Sequence, residues 1–147
     1  MCIICERVEM WKKNENPYFI HEFKHSLFVV GDHQYFEGYS QLILKDHETD
    51  MTSLSVQVQA EYFQEVMAAG KVIQKMLHPF RMNYSSLGNV VEHIHFHIFP
   101  RYEDELLAAE EKHPWFHIDK FNSKRLSSDR ARDLATKIRE ELQSFLV

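Results

Sequence analysis

The sequence predicts an α+β domain, and three observations carry that expectation. From about Ser53 to Leu77, Val58, Tyr62, Val66, Ala69, Ile73 and Leu77 recur at three- and four-residue steps, the period of one helix face. The segments around 18–30, 38–45, 81–87 and 90–100 instead alternate or run apolar over strand length. Finally, the 147 residues contain no repeat, low-complexity tract or linker, so they are expected to form one domain spanning 1–147.

In chain order, ICERVEMWKKN reads as a short helix that stops near Asn16-Pro17, because the residue before proline resists helix. YFIHEFKHSLFVVGD gives two strands. In the first, Tyr18, Ile20 and Glu22 alternate with Phe19, His21 and Phe23, and Leu27–Val30 is the buried run of the second. GYSQLILK (38–45) is a third strand, entered through Gly38. The long helix follows and is stopped by His78-Pro79. RMNYSSL (81–87) is a fourth strand, Gly88-Asn89 a turn, and VVEHIHFHIFP (90–100) a fifth. The stretch 102–124 is polar and irregular, with a short helix over Glu103–Lys112. Ser127 or Ser128 then caps a last helix to about Phe145, with Leu134, Ile138, Leu142 and Phe145 as its apolar stripe.

Composition narrows the function. With 44% hydrophobic and 27% charged residues the chain has ordinary globular composition. No apolar run approaches the roughly 20 residues that span a bilayer, and the charged start MCIICERVEMWKK does not read as a secretory signal. A cytoplasmic protein is expected. A formal net charge of −5 without a basic block argues against nonspecific nucleic-acid binding, but leaves room for a small phosphorylated ligand. The two cysteines, Cys2 and Cys5, form one CxxC pair, which points to metal or redox chemistry before a disulfide. This pair does not follow a strand, so a thioredoxin-like role is disfavoured.

The densest chemistry lies in EHIHFHIFPR (92–101). His93, His95 and His97 alternate with Ile94, Phe96 and Ile98, so on a strand the imidazoles share one face and the apolar residues the other. A solvated polar face, a metal site and a catalytic centre are the alternatives. On one strand the outer histidines would be about 13–14 Å apart, too far to share one ion at bonds of about 2 Å. A catalytic row tolerates that spacing: one imidazole attacks, a neighbour donates hydrogen bonds, and a third orients.

These residues resemble the histidine triad (HIT) family, whose motif is His-φ-His-φ-His-φ-φ, followed in its hydrolase branches by Pro-Arg. NYSSLGNVV is similar to the loop that precedes the triad there, and the opening CIIC and the element order are similar too. The resemblance covers roughly residues 2–101, leaving 102–147 as a C-terminal extension with its helix. RYEDE followed by HPWF is similar to bacterial members of the diadenosine-polyphosphate-hydrolase type.

The resemblance implies a five-stranded antiparallel sheet packed with helices, a homodimer, and nucleotide hydrolysis through a covalent nucleotidyl-histidine intermediate. Nucleotidyl transfer to another acceptor, or nucleotide binding by a regulatory dimer with little turnover, are the alternatives. It makes His95 the nucleophile, His97 the phosphate-side partner and His93 the orienting residue. It makes Asn89 and Asn83 phosphate-binding amides, although Asn89 also fits a plain turn. Asp32 is read either as a ribose-binding acid or as a solvated hairpin carboxylate. Arg101 and Lys45 are the nearby basic residues, Arg101 equally a surface ion-pair residue. Trp115 either closes over the site or joins a dimer contact. LILKDHETD resembles the Pro-Lys-x-His segment of zinc-binding relatives, with Leu44 in place of the proline. That implies a structural zinc held by Cys2, Cys5, His47 and His93. Glu92 stands where many relatives carry proline.

Overall fold

The computed structural model describes residues 1–146. The elements are α1 (Ile3–Lys12), β1 (Phe19–Glu22), β2 (Ser26–Val30), β3 (Ser40–Leu44), α2 (Val56–Leu77), β4 (Arg81–Ser85), β5 (His95–Arg101), α3 (Glu103–Ala108) and α4 (Ser128–Leu146). A short 3-10 turn, Met51–Ser53, precedes α2, and a 3-10 stretch, Pro114–Lys124, precedes α4. The strands form one antiparallel sheet in the order β1-β2-β3-β5-β4. The architecture is therefore the α+β, five-stranded antiparallel sheet with helices that the sequence predicts.

Strand alternation sorts the side chains onto two faces. Phe28, Val30, Leu42, Leu44 and Ile98 face α2 and α4 and bury Val66, Ala69, Ile73, Ile138 and Leu142. On the opposite face, Leu27, Val29 and Ile43 pack under Ile4 and Val8 of α1. The same opposite face carries Tyr39, Gln41, His95, His97 and Phe99 further along, so α1 covers one end of it and the chemistry occupies the other.

Local signals explain the boundaries. Ser55 caps α2 by accepting from the Val58 N–H at 3.2 Å. The helix ends where His78 turns left-handed, φ 49°, a conformation compatible with the proline that follows. Gly38 enters β3 at φ +88°, and a side chain there would meet Leu77.

Two expectations are corrected. The fifth strand starts at His95, not Val90, so His93 precedes the strand instead of sharing its pleat. The buried stripe of α4 is Ala131, Ala135, Ile138 and Leu142, while Leu134 is only partly buried and Phe145 is exposed beneath Lys75. Alanine at two of these positions lets the helix lie close to the sheet, and Arg139 fastens it by donating to the Phe19 and Ile20 carbonyls. Among the described residues no helix is long and apolar enough to cross a membrane.

Candidate active site and metal cluster

The histidine row starts two residues before β5 and continues into it. Because His93 lies outside the strand, its ring is free to turn away from its neighbours. Its Nε2–H donates to the Leu44 carbonyl at 2.8 Å, which leaves the Nδ1 lone pair pointing at Cys2 Sγ and Cys5 Sγ, each 3.5 Å away. The His93 carbonyl meanwhile accepts from His95 Nδ1–H at 2.7 Å. One residue thus offers its ring to one cluster and its backbone to the other.

Cys2, Cys5, His47 and His93 place one donor atom each within 4.8 Å of one another, although they come from the N-terminal turn, the chain after β3 and the approach to β5. Cys5 Sγ lies 3.2 Å from His47 Nδ1. A tetrahedral ion with Zn–S of about 2.3 Å and Zn–N of about 2.0 Å has sulfur–nitrogen edges of about 3.5 Å, so the spacing fits. The donor chemistry fits as well: two soft sulfurs, two imidazoles, and His93 held in the ligating tautomer by a backbone carbonyl. Burial and the adjacent Cys2 thiol push the Cys5 thiol above its ordinary value.

At the other end, His95 Nε2 and His97 Nε2 stand 2.9 Å apart. His97 Nδ1 accepts from the Tyr39 hydroxyl at 2.6 Å, and Gln41 Nε2 lies 3.2 Å from the same nitrogen. Gln41 is on β3, whose register sets it opposite His97, and Tyr39 immediately precedes that strand. Burial lowers both histidines, His97 down to about 3 with the neighbouring His95 and His33 adding to the effect. Both rings are therefore neutral at physiological pH, and burial raises the Tyr39 hydroxyl above the ordinary phenol range.

The stretch Pro114–Lys124 lies over this end. The Trp115 ring meets His97 edge-on at 4.7 Å, and its Nε1–H donates to Ser85 Oγ at 3.2 Å. Phe121 stacks on His33 at 4.0 Å, and His33 stacks on Tyr39 at 4.5 Å. Backbone bonds fasten the stretch to the loop after β2: the Gln34 N–H donates to the Lys124 carbonyl and the Leu126 N–H to the Asp32 carbonyl. His95 and His97 are buried under this cover, and His93 is buried at the cysteine end.

The remaining expected residues are scattered. Asn83 lies on the triad face but accepts from Arg101 Nη1 at 2.9 Å. Arg101, read as a charge-offsetting or surface residue, is 1% exposed and spent on Glu105, Asn83 and the Lys112 carbonyl. Asn89 is exposed on the loop before β5. Asp32 faces Arg125 at 3.4 Å and Arg7 at 3.9 Å. Lys45 pairs with Glu22, away from the row. Tyr39, Gln41 and Ser85 are the contacts that sequence reasoning missed. Their positions on strands were legible, but their meeting with His97 and Trp115 depends on strand register and on the path of the extension.

A sheet of this topology with a row of linked histidines running into an interior strand defines a class of proteins. The HIT domain matches residues 12–104, and the chain belongs to that family. Solved structures of the same fold include a hypothetical histidine triad nucleotide-binding protein from Sulfolobus tokodaii: 17% identity, TM-score 0.70, covering 96% of this chain and 93% of that one. A zinc-bound histidine triad family protein from Mycobacterium smegmatis is 20% identical with TM-score 0.68, covering 98% and 94%. A histidine triad protein from Sinorhizobium meliloti is 18% identical with TM-score 0.71, covering 84% and 87%. At these identities the likeness is one of fold. No curated protein sequence matches the chain.

Proposed function

We propose that the chain, as one domain, is a nucleotide hydrolase that uses His95 as its nucleophile. One observation carries the reading: His95 Nδ1–H is committed to the His93 carbonyl, so the lone pair sits on Nε2, on the side of the ring that faces His97 Nε2. Attack by Nε2 on the α-phosphorus forms a P–N bond to the imidazole and breaks the bond to the leaving group, the P–O bond of a polyphosphate or the P–N bond of a phosphoramidate. The His93 carbonyl supports the positive charge that develops on the ring. His97, 2.9 Å away, donates its Nε2–H to an oxygen of the substrate instead of to His95. Water then cleaves the P–N bond and releases a nucleoside monophosphate. Dinucleoside polyphosphates and adenosine phosphoramidates are the substrates to try, in line with the resemblance of RYEDE (101–105) and HPWF (113–116) to diadenosine-polyphosphate hydrolases.

Zinc in the Cys2, Cys5, His47 and His93 cluster belongs to this reading, supported by the donor spacing and by the zinc-bound M. smegmatis neighbour. Bound there, zinc would tie the N-terminal turn to the base of the triad and hold His93. A homodimer also belongs to it: β4 ends the sheet with an unpaired edge, and Phe80, Tyr84 and Leu87 beside it are exposed. Reduced thiols suit the cytoplasm.

Turnover of diadenosine polyphosphates and adenosine phosphoramidates by wild type and His95→Ala is the test. Loss of at least about 10³-fold in the variant is expected, and equal turnover would rule out the nucleophile. The cover over His97 favours a second reading, a nucleotide-binding dimer with little turnover. Binding without turnover by the wild type would select it.

A further inference from the structure

Tyr39 has no place in the motif, yet it is the most constrained polar contact of the triad. Its ring is 3% exposed and is clasped between His33 at 4.5 Å and Phe99 at 4.6 Å, so the hydroxyl cannot swing away. The hydroxyl oxygen accepts from the Gln41 amide at 2.9 Å, and its own proton goes to His97 Nδ1 at 2.6 Å. The Gln41 amide reaches the same Nδ1 at 3.2 Å. An amide N–H can only donate, so this nitrogen carries a lone pair, and the tyrosine proton is directed to it as well.

We propose that Tyr39, held by Gln41, is a positioning residue that fixes the tautomer of His97, so that an N–H and not a lone pair faces the reacting centre. A neutral imidazole with an accepting Nδ1 carries its proton on Nε2. That proton points at His95 Nε2, 2.9 Å away. His95 in turn has spent its own N–H on the His93 carbonyl. The pattern is set from both ends: a carbonyl that only accepts at one, a phenol and an amide that donate at the other. With the opposite tautomer of His97, two lone pairs would face each other between the rings and no donor would meet the substrate.

The catalytic consequence rests on the hydrolase reading; the tautomer itself does not. With a nucleotide bound, His97 Nε2–H donates to the oxygen that gathers charge as its bond to phosphorus breaks, so the benefit grows as the leaving group becomes more basic.

The test pairs a spectrum with kinetics on the full-length protein as purified, wild type against Tyr39→Phe and Tyr39→Phe/Gln41→Met. In ¹⁵N-histidine-labelled protein, long-range ¹H–¹⁵N spectra, with His97 assigned by loss of its signals in His97→Gln, should show the Nε2–H form. In Tyr39→Phe this should give way to a mixture of tautomers, and further in the double variant. Turnover in Tyr39→Phe should fall about 10-fold for a polyphosphate leaving group and about 100-fold for an alkoxide one, KM staying within about twofold. An unchanged His97 tautomer in the double variant overturns the proposal, as does a loss equal for both leaving groups. If the wild type turns over neither substrate, the hydrolase reading fails and the spectrum alone decides the tautomer.

Discussion

At one end of the histidine row His93 is gripped by two sulfurs, His47 and the Leu44 carbonyl. At the other end His97 is gripped by Tyr39, Gln41 and the edge of Trp115. The first grip is made of ligand atoms whose geometry one ion would dictate. The second is made of neutral hydrogen bonds and stacked rings that distribute the constraint over many contacts. Damage to the metal end should therefore be abrupt, and damage to the aromatic end graded.

The sharpest break is His93→Ala, which removes one donor of the cluster and loosens the carbonyl that orients His95. We expect turnover to fall by about 10²-fold or more and bound zinc to be lost, measured by steady-state kinetics and elemental analysis of purified protein. Full zinc with full activity would erase the contrast between the ends. Cys2→Ser/Cys5→Ser attacks the same end without touching the triad. Zinc content and thermal midpoint should both drop, and a metal-free wild type that is folded and active would rule out the cluster as a zinc site.

On the aromatic side, Trp115→Ala should cost stability, about 2–3 kcal/mol by urea denaturation, while leaving zinc in place. The smallest effect is a pH slope. Burial holds His97 at about 3 and His33 at about 4, against about 6.5 in an unfolded chain. Well above pH 6.5 neither state binds these protons. As pH falls from 6.5 towards 4, the unfolded state gains protons that the folded state refuses, so stability declines by up to about 1.4 kcal/mol per pH unit per histidine. His33→Gln should flatten the decline measured by urea denaturation between pH 7 and 5; an unchanged slope would show that His33 is no part of it.

Most of the fold was legible because period, proline stops and glycine turns are local. His78-Pro79 ended α2 as expected, and Gly38 opened β3. The start of β5 was not, because 90–94 alternates well enough for a strand but lies beyond the reach of β4, which ends at Ser85. The donors at the metal end were nameable through the family resemblance, since cysteine and histidine at that spacing have few other uses. Tyr39 and Gln41 were not, because nothing local says that β3 pairs with β5 in the register that brings them to His97. Arg101 misled for the same reason: its charge reads as available until Glu105 and Asn83 are found closing on it.

The stretch that places Trp115 over His97 also has a kinetic meaning. For a ligand to reach His95 that stretch would have to lift, and its fastenings to Ser85, Gln34 and Asp32 would set how often it does. Association would then be gated: the observed rate would climb with ligand concentration only until it met the frequency of opening, and level off there.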